Sequence, residues 1–344
     1  MKTVLITGGA GFIGSAFVNY IYNRYPDYRI IVVDALTYAG SVENFPVKIW
    51  EKENERFIFW YGDVQNGELM DTLVSQSDMV VHFAAESHVT RSIYDNTKFF
   101  RTDVLGTQIV ANAVCKYKDQ VERFVHISTS EVYGTAVSET MDENHPLNPM
   151  SPYAAAKAGA DRLVYSYWVT YGIPAVIVRP FNNFGPRQHL EKVVPRFITS
   201  VILKEQLRVH GDGQAARDFI YVDDTCRAID LILHAPKEKV IGEVFNVGTG
   251  QHHSILSIAE DITRLMCPGN DCSIHVGDRP GQVMRHTADA SKIQKILGWR
   301  PQMNWKDGLQ KVIAWYWDNE DWWKKQLWMR DIPIITGEGK RELH

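Results

Sequence analysis

Short apolar runs rich in β-branched residues alternate with longer stretches of helical period over the first half of this chain. The first run is Val4-Leu5-Ile6, and a helix-like segment to about Arg24 separates it from the second. The runs that follow are 30–33, 57–59, 79–83, 124–127 and 175–178. Continuous apolar strands joined by helices are typical of a parallel sheet that is covered on both faces. The alternation therefore predicts an α/β fold, a doubly wound parallel sheet of the Rossmann type.

A glycine-rich turn joins the first run to the first helix. Gly8, Gly11 and Gly14 leave bare backbone there, so that a pyrophosphate can approach the helix N-terminus, where free N–H groups favour anions. Asp34 ends the second run, where a carboxylate would accept hydrogen bonds from an adenosine ribose and repel a 2′-phosphate. The turn and the acid together predict NAD, rather than NADP, as the cofactor. The predicted cofactor contacts are Gly8, Gly11, Phe12, Ile13, Gly14, Asp34, Asp63, Val64, Ala84 and Ala85, together with Tyr153 and Lys157 further along the chain.

The pattern changes after about Pro180. Segments punctuated by glycine and proline, such as 182–188 and 210–219, replace the regular alternation. We therefore expect an NAD-binding domain with the catalytic residues over 1–180. Residues 181–344 are expected to form mainly a smaller substrate-binding lobe, with some chain returning to the sheet.

Composition excludes several classes of partner. A formal net charge of −4 over 344 residues provides no basic field for nucleic acid, and no apolar run is long enough to span a bilayer. The cysteines have neither the density of a disulfide scaffold nor the paired spacing of a zinc site, so neither disulfides nor a metal are predicted. They are Cys115, Cys226, Cys267 and Cys272. The interpretation is a soluble cytoplasmic protein.

Two polar groups mark a candidate reaction site. The strand that ends at Ile127 runs directly into the polar stretch 128–131, and a helix begins near the good N-cap residue Ser151. Spacing of four residues places Tyr153 and Lys157 on one face of that helix. A nearby ammonium favours a phenolate, so this pair is suited to take a proton from an alcohol while hydride leaves the same carbon.

The glycine spacing together with Tyr153-x-x-x-Lys157 resembles the extended short-chain dehydrogenase/reductase superfamily and, within it, the nucleotide-sugar 4,6-dehydratases. The resemblance runs nearly end to end. The matching segments are 34–40, 84–89, 182–186, 191–193, 217–224, 278–281 and 297–301. The resemblance implies tightly bound NAD, oxidation of the sugar at C4, loss of water across C5 and C6, and return of the hydride to C6. A homodimer, formed through a bundle that includes the Tyr153 helix, is also implied.

The same resemblance implies roles for individual residues. Thr129, Tyr153 and Lys157 would carry out the oxidation, and Glu131 would remove the C5 proton. The implied contacts to the nucleotide-sugar substrate are Ser87, His88, Asn183, Lys192, Arg217 and Arg279.

One position departs from the family pattern. The dehydratases of thymidine-linked glucose usually read Thr-Asp-Glu, whereas this chain reads Thr129-Ser130-Glu131. Serine is too weak an acid to replace a carboxyl group unaided, but it can hydrogen-bond the C6 hydroxyl or position a water molecule or Glu131. Ser130 is therefore kept among the candidate catalytic residues.

Alternatives stay open at this point. A Ser-Glu or similar pair also occurs in UDP-glucuronate decarboxylases and GDP-mannose dehydratases, and a C4 epimerase or a non-catalytic NAD-binding scaffold would share the fold. Segments 182–185 and 191–192 resemble dehydratases more closely, and Asp34 argues against the NADP-using GDP-mannose branch. Residues 282–285 read Gln-Val-Met-Arg where thymidine-type enzymes more often have His-Asp. The nucleotide base and the substituent on C2 of the sugar are therefore left open.

Overall fold

A parallel seven-stranded sheet lies at the centre of a computed structural model that describes residues 1–49, 55–269, 272–277, 281–335 and 340–343. The strands are β1 (Thr3–Thr7), β2 (Arg29–Asp34), β3 (Phe57–Tyr61), β4 (Met79–His82), β5 (Arg123–Ile127), β6 (Ala175–Pro180), β7 (Asn182–Phe184), β8 (Leu207–His210), β9 (Ala216–Tyr221), β10 (Val244–Val247), β11 (His252–Ser254), β12 (Ser273–Val276), β13 (Pro333–Ile335) and β14 (Arg341–Leu343). The α-helices are α1 (Phe12–Arg24), α2 (Gly67–Val74), α3 (Val89–Tyr94), α4 (Thr97–Phe99), α5 (Thr107–Lys116), α6 (Pro152–Tyr171), α7 (Val193–Ile202), α8 (Val222–His234), α9 (Lys237–Val240), α10 (Ile255–Met266), α11 (Ser291–Leu297), α12 (Trp305–Asp318) and α13 (Glu320–Lys324). Short 3₁₀ helices lie at Val42–Asn44, Ser130–Tyr133 and Leu327–Met329, and a π-helix lies at Phe100–Gly106.

The strand order explains where a ligand can bind. The order across the central sheet is β10-β6-β5-β4-β1-β2-β3, and its pairings are parallel. The chain passes from β1 toward one edge through β2 and β3, and then returns to the other side of β1 with β4. This reversal opens a crevice at the carboxyl ends of β1 and β4, which is where doubly wound sheets bind ligands. Each predicted apolar run lies in one of β1 to β6, except that the run 79–83 extends one residue beyond β4. The predicted fold class is confirmed.

Alternating side chains of the strands fill two cores, one on each face of the sheet. In β1, Val4 and Ile6 belong to the core covered by α1 and α8, whereas Leu5 belongs to the core covered by α2, α5 and α6. Successive strand side chains point to opposite faces, so both faces of a strand that is buried on two sides must be apolar. This accounts for the continuous apolar character of the runs in the sequence.

Local signals set the bounds of α6, the helix that carries Tyr153. Ser151 caps it by accepting a hydrogen bond from the Ala154 N–H at 3.1 Å, and Pro152 occupies its first turn. It ends at Gly172, whose φ of +66° is in the left-handed region. Of the helices in the described part of the chain, none has both the length and the apolar character that crossing a lipid bilayer requires.

Most of the chain after β6 forms a smaller lobe beside the carboxyl ends of the strands. Strands β7, β9 and β11 form one small sheet, and β8 pairs with β12. Phe184, Phe197 and Tyr316 are buried in the core between these strands and α7, α10 and α12. Strand β10 returns to the central sheet beside β6, with Val244 opposite Ile177. The division of the chain at residue 180 stays a prediction.

Candidate active site

A cavity of about 450 Å³ opens where the carboxyl ends of the central strands meet the smaller lobe. Most of the predicted site residues form its wall. They are Gly8, Gly11, Phe12, Ile13, Gly14, Asp34, Asp63, Val64, Ala84, Ala85, Ser87, His88, Thr129, Glu131, Tyr153, Lys157, Asn183, Lys192 and Arg217. Ser130 is not part of this wall, and Arg279 lies outside the described residues.

The glycine turn is held too tightly to accept side chains. A Cβ on Gly14 would lie 2.3 Å from the Gly8 carbonyl oxygen, and a Cβ on Gly8, whose φ is +68°, would lie 2.5 Å from the Ala84 nitrogen. Gly11 is the N-cap of α1 and supplies no side-chain cap. The first N–H groups of α1 are therefore open to an anion at the cavity, as a bound pyrophosphate requires.

Asp34 lies at the end of β2 beside this turn. Its carboxylate accepts hydrogen bonds from the Ala10 N–H at 2.9 Å and from the Leu36 N–H at 2.8 Å, while burial raises its pKa. A carboxylate has acceptor capacity beyond these two bonds, so it can also receive a ribose hydroxyl. The turn, the uncapped helix and Asp34 together fit NAD.

Tyr153 and Lys157 lie where α6 meets the end of β5. Lys157 Nζ donates to the Ile127 carbonyl oxygen at 2.7 Å, and the Tyr153 phenol hydrogen-bonds the side chain of Thr129. Burial is the largest influence on both groups, since it raises the pKa of Tyr153 and lowers the pKa of Lys157. The role of this pair in taking a proton from an alcohol stays a prediction. A positively charged group bound in the cavity would favour the phenolate.

Asp103 is a buried acid beside this pair that the sequence did not reveal. It lies in the π-helix, one of its oxygens accepts the Glu86 N–H at 2.8 Å, and the other has no hydrogen-bond partner among the described residues. Burial raises its pKa, and the charge of Lys157 opposes that rise. Asp103 has no local signal in the sequence, because its nearness to Lys157 depends on how the π-helix packs on α6.

Glu131 and Arg217 face each other across the cavity wall. Arg217 Nε lies 3.6 Å from Glu131 Oε1, and its Nη1 donates to the Val283 carbonyl oxygen at 2.7 Å. Burial lowers the pKa of Arg217, and Glu131 opposes that change. The predicted base and a predicted substrate contact are thus one charged pair.

Ser130 lies on the other side of this loop. It is only 1% exposed, and its hydroxyl oxygen lies 3.3 Å from Nδ1 of His286. His286 is fully buried, and burial lowers its pKa to about 4. The sequence reasoning missed His286, which directly follows the segment 282–285 that departs from the thymidine-type pattern. The catalytic role of Ser130 stays a prediction, but its hydroxyl points to a histidine rather than into the cavity.

A buried glutamate, Glu191, contacts several residues of the predicted substrate-binding part of the site. Glu191 accepts hydrogen bonds from the Tyr38 hydroxyl at 2.8 Å and from Arg91 Nε at 2.9 Å. Burial would raise its pKa, but the surrounding positive groups, with His88 and Lys192 foremost, lower it to about 2. Residues from the turn after β2, from α3 and from the lobe therefore meet at one carboxylate.

Asn183 presents an open acceptor to the cavity. Its Nδ2 donates to the Phe181 carbonyl oxygen at 2.9 Å, while its buried Oδ1 has no hydrogen-bond partner among the described residues. A buried polar atom without a partner is costly, so a ligand that donates to it is favoured.

Known proteins share this fold and much of this sequence. The chain is 45% identical to the low-salt glycan biosynthesis protein Agl12 of Haloferax volcanii, over 91% of this chain and 98% of that protein. It is 41% identical to the dTDP-glucose 4,6-dehydratase of Streptomyces niveus, over 93% of this chain and 94% of the relative. The crystal structure of the dTDP-glucose 4,6-dehydratase DesIV from Streptomyces venezuelae, with NAD bound, superposes with a TM-score of 0.89 and 39% identity, covering 94% of this chain and 100% of that one.

The family described as GDP-mannose 4,6 dehydratase matches residues 5–312 of this chain. This match and the relatives confirm the predicted branch, and the NAD held by the solved relative agrees with the predicted cofactor. The chain therefore belongs to that family, within the nucleotide-sugar 4,6-dehydratase branch of the extended short-chain dehydrogenases/reductases.

Proposed function

We propose that this chain is an NAD-containing 4,6-dehydratase that converts dTDP-glucose into its 4-keto-6-deoxy derivative. The observation that carries the proposal is the meeting, in one cavity, of an open glycine turn, the Tyr153 phenol and the Glu131 carboxylate. A dinucleotide site next to a phenol suits oxidation of an alcohol, and a second base in the same cavity suits an elimination.

The first half of the reaction uses the groups at the end of β5. Bound NAD accepts the hydride from C4 and returns it to C6, and its positive ring favours the phenolate. Tyr153 takes the proton of the C4 hydroxyl. Thr129 orients the phenol through their hydrogen bond, and Lys157, fixed on the Ile127 carbonyl, keeps a positive charge behind it.

The second half uses Glu131. A ketone at C4 acidifies the C5 hydrogen, and the carboxylate removes it as a proton while the C6 hydroxyl departs as water. Arg217 lies 3.6 Å from this carboxylate and favours its ionised form, which is the form that acts as a base.

The charge of the wall supports a nucleotide diphosphate as the substrate. Lys192, Arg196, Arg208 and Arg217 all line the cavity of a protein whose formal net charge is −4. Such a cluster forms a local anion site, and arginine suits phosphate oxygens. The choice of thymidine and glucose follows the Streptomyces relatives named above.

Mass spectrometry of the purified protein with a panel of nucleotide sugars, without added cofactor, tests the proposal. The panel contains dTDP-glucose, UDP-glucose, UDP-N-acetylglucosamine, GDP-mannose and UDP-glucuronate. We expect loss of one water from dTDP-glucose without net release of NADH. Loss of carbon dioxide from UDP-glucuronate would identify a decarboxylase instead, and inversion at C4 without a change of mass would identify an epimerase.

We also propose a homodimer in the cytoplasm. The surface of α6 and the neighbouring π-helix exposes Leu105, Tyr165 and Val169, whose exposed fractions are 49%, 40% and 60%. Exposed apolar side chains on two helices that pack together support an interface between two copies. Sedimentation velocity is expected to show a dimer that Val169→Glu weakens, and a monomer at micromolar concentration would contradict this proposal.

A further inference from the structure

The contacts of His286 fix the position of its proton. Nε2 lies 2.7 Å from the carbonyl oxygen of Gly134, which can only accept a hydrogen bond. Nε2 therefore carries the hydrogen, and in the neutral ring Nδ1 is left as an acceptor. Full burial favours the neutral ring at physiological pH.

The acceptor nitrogen determines what Ser130 can do. Its hydroxyl lies 3.3 Å from Nδ1 and is the donor in this contact, so the proton of Ser130 points away from the cavity. The imidazole thus holds the serine in a direction from which it cannot reach a sugar hydroxyl in the cavity.

Glu131 is the second neighbour of the same nitrogen. Its Oε1 lies 3.8 Å from His286 Nδ1 and 3.6 Å from Arg217 Nε. The Arg217 cation attracts this oxygen and the Nδ1 lone pair repels it, so the two side chains together orient the carboxylate. Among the carboxyl groups in the described cavity wall, the charge of Glu131 is the one that acts on the Tyr153 phenol. Its effect on Tyr153, which takes the proton at C4, makes Glu131 the acid of the described wall that is available to the neighbouring sugar carbons.

We infer that His286 is a positioning residue for the elimination: it holds the Ser130 hydroxyl out of the cavity and orients Glu131, which then serves both C5 and C6. This inference rests on the proposed dehydratase function. Neither the serine nor the histidine donates the proton that leaves with the C6 oxygen.

In the elimination, Glu131 both accepts a proton and gives it back. Its carboxylate takes the proton from C5, and the electron pair of that C–H bond forms the C5–C6 double bond while the C6–O bond breaks. The same carboxyl group then gives its proton to the departing hydroxide, so that water leaves and the carboxylate is restored. The hydride from C4 adds to C6, and C5 takes a proton from solvent water. The proton that Tyr153 took from the C4 hydroxyl returns to solvent, so that the complete reaction neither consumes nor releases a proton.

Two substrates separate the half-reactions. A dTDP-6-deoxyglucose analogue has no C6 hydroxyl to lose, so that the absorbance of NADH at 340 nm reports oxidation at C4 alone. Water loss from dTDP-glucose, measured by rapid quench and mass spectrometry, reports the elimination. His286→Gln keeps a donor for the Gly134 carbonyl and lacks the Nδ1 acceptor. We expect this variant to oxidise the analogue at the wild-type rate but to lose water on the order of tenfold or more slowly, as the loss of a buried hydrogen-bond partner implies. Ser130→Ala, which removes the donor to the same nitrogen, is expected to slow water loss to a smaller extent.

His252→Gln is the matched control, because His252 is exposed and its Nδ1 lies 2.9 Å from the hydroxyl oxygen of Thr287. It is expected to leave both half-reactions unchanged. Equal slowing of oxidation and water loss in His286→Gln, or no slowing of either, overturns the positioning role. Loss of elimination in Ser130→Ala while His286→Gln retains it shows that the serine acts on the substrate directly. A wild-type protein that neither forms NADH with the analogue nor removes water from any sugar overturns the proposed function, and this inference with it.

Discussion

Thr129, Ser130 and Glu131 are consecutive, yet their side chains do not share one direction. Thr129 has an extended backbone, with φ −160° and ψ 154°, and caps the following 3₁₀ helix by accepting the Glu131 N–H at 3.2 Å. The extended backbone at Thr129 sends its side chain and that of Ser130 to opposite sides, and the 3₁₀ helix that begins at Ser130 turns each following side chain by about 120°. Thr129 and Glu131 therefore line the cavity, while Ser130 lies against His286.

At the residue scale, removal of the Tyr153 hydroxyl is expected to stop the chemistry. Tyr153→Phe should lower the rate of C4 oxidation by about 10²- to 10⁴-fold, because no other group takes the proton of the C4 hydroxyl. The measurement is single-turnover absorbance at 340 nm with the 6-deoxy analogue. Tyr171→Phe, at the exposed end of the same helix, should keep the wild-type rate. A Tyr153→Phe protein that oxidises normally would remove the phenol from the mechanism.

Strands and helices hold these residues in place through contacts, and the spacing of residues along the chain shows only some of these contacts. The turn between β1 and α1 is a local feature, and its glycines could be interpreted directly. The clamp between α6 and β6 is not local: Arg179 makes a two-point contact with Asp161, at 2.8 Å from Nε and 2.9 Å from Nη2, and both side chains are buried. This clamp holds the helix that carries Tyr153 and Lys157 against the sheet.

The lack of space at the glycine turn predicts that a larger residue there impairs NAD binding. In Gly14→Ala the new methyl would overlap the Gly8 carbonyl oxygen, so we expect the protein to purify with little or no NAD and to lose about 1–3 kcal/mol of stability. The bound nucleotide is measured by absorbance after release from the denatured protein. Gly172→Ala is the control: it has φ +66° but open space around it, so it should cost about 1 kcal/mol and keep NAD. Full NAD content in Gly14→Ala would contradict the close approach.

Loss of the contact between Arg179 and Asp161 is expected to lower the stability of the protein by an amount that depends on pH. Asp161→Asn leaves the Arg179 charge buried without its partner, so the free energy of unfolding should fall by about 3–5 kcal/mol near pH 7. Burial alone would raise the pKa of Asp161, but hydrogen bonds and charge from Arg179 keep it below the ordinary value. The stabilisation is therefore complete above the unfolded pKa of about 4 and is lost as the pH falls through the lower folded pKa. Urea unfolding measures the difference in free energy of unfolding between the wild type and Asp161→Asn. This difference should shrink as the pH falls from 7 to 3, and a difference that stays constant would contradict the prediction.

For the whole molecule, the network around Glu191 joins the sheet to the lobe. Tyr38 follows β2, Arg91 belongs to α3, and Glu191 precedes α7. Arg91 Nη2 also donates to the Met329 carbonyl oxygen at 3.2 Å, so the C-terminal region is held at the same point. The two sides of the cavity are thus coupled through one carboxylate.

Glu191→Gln is expected to weaken this junction. Loss of the charge between Arg91 and Tyr38 should lower the free energy of unfolding by about 1–3 kcal/mol, as for a buried hydrogen-bonded group that loses its partner. Denaturant unfolding measures the change. Glu320→Gln removes an exposed pair with Lys324 and should change stability by less than about 0.5 kcal/mol. Equal effects of the two substitutions would show that the junction carries no special stability.

The sequence by itself determined the features that are encoded by near neighbours. Apolar runs bury both faces of a strand, glycines three apart open a helix N-terminus, and Tyr153 and Lys157 share a face because they are four residues apart. The sheet, the NAD turn and a part of the cavity wall could therefore be predicted. Only the tertiary structure decided which distant groups meet them. His286 lies 156 residues after Ser130, and Asp103 reaches Lys157 from another helix, so no local period relates them. The direction of the Ser130 hydroxyl and the low pKa of His286 arise from burial and from partners brought together by packing. Such contacts depend on how the elements pack rather than on the spacing of residues along the chain.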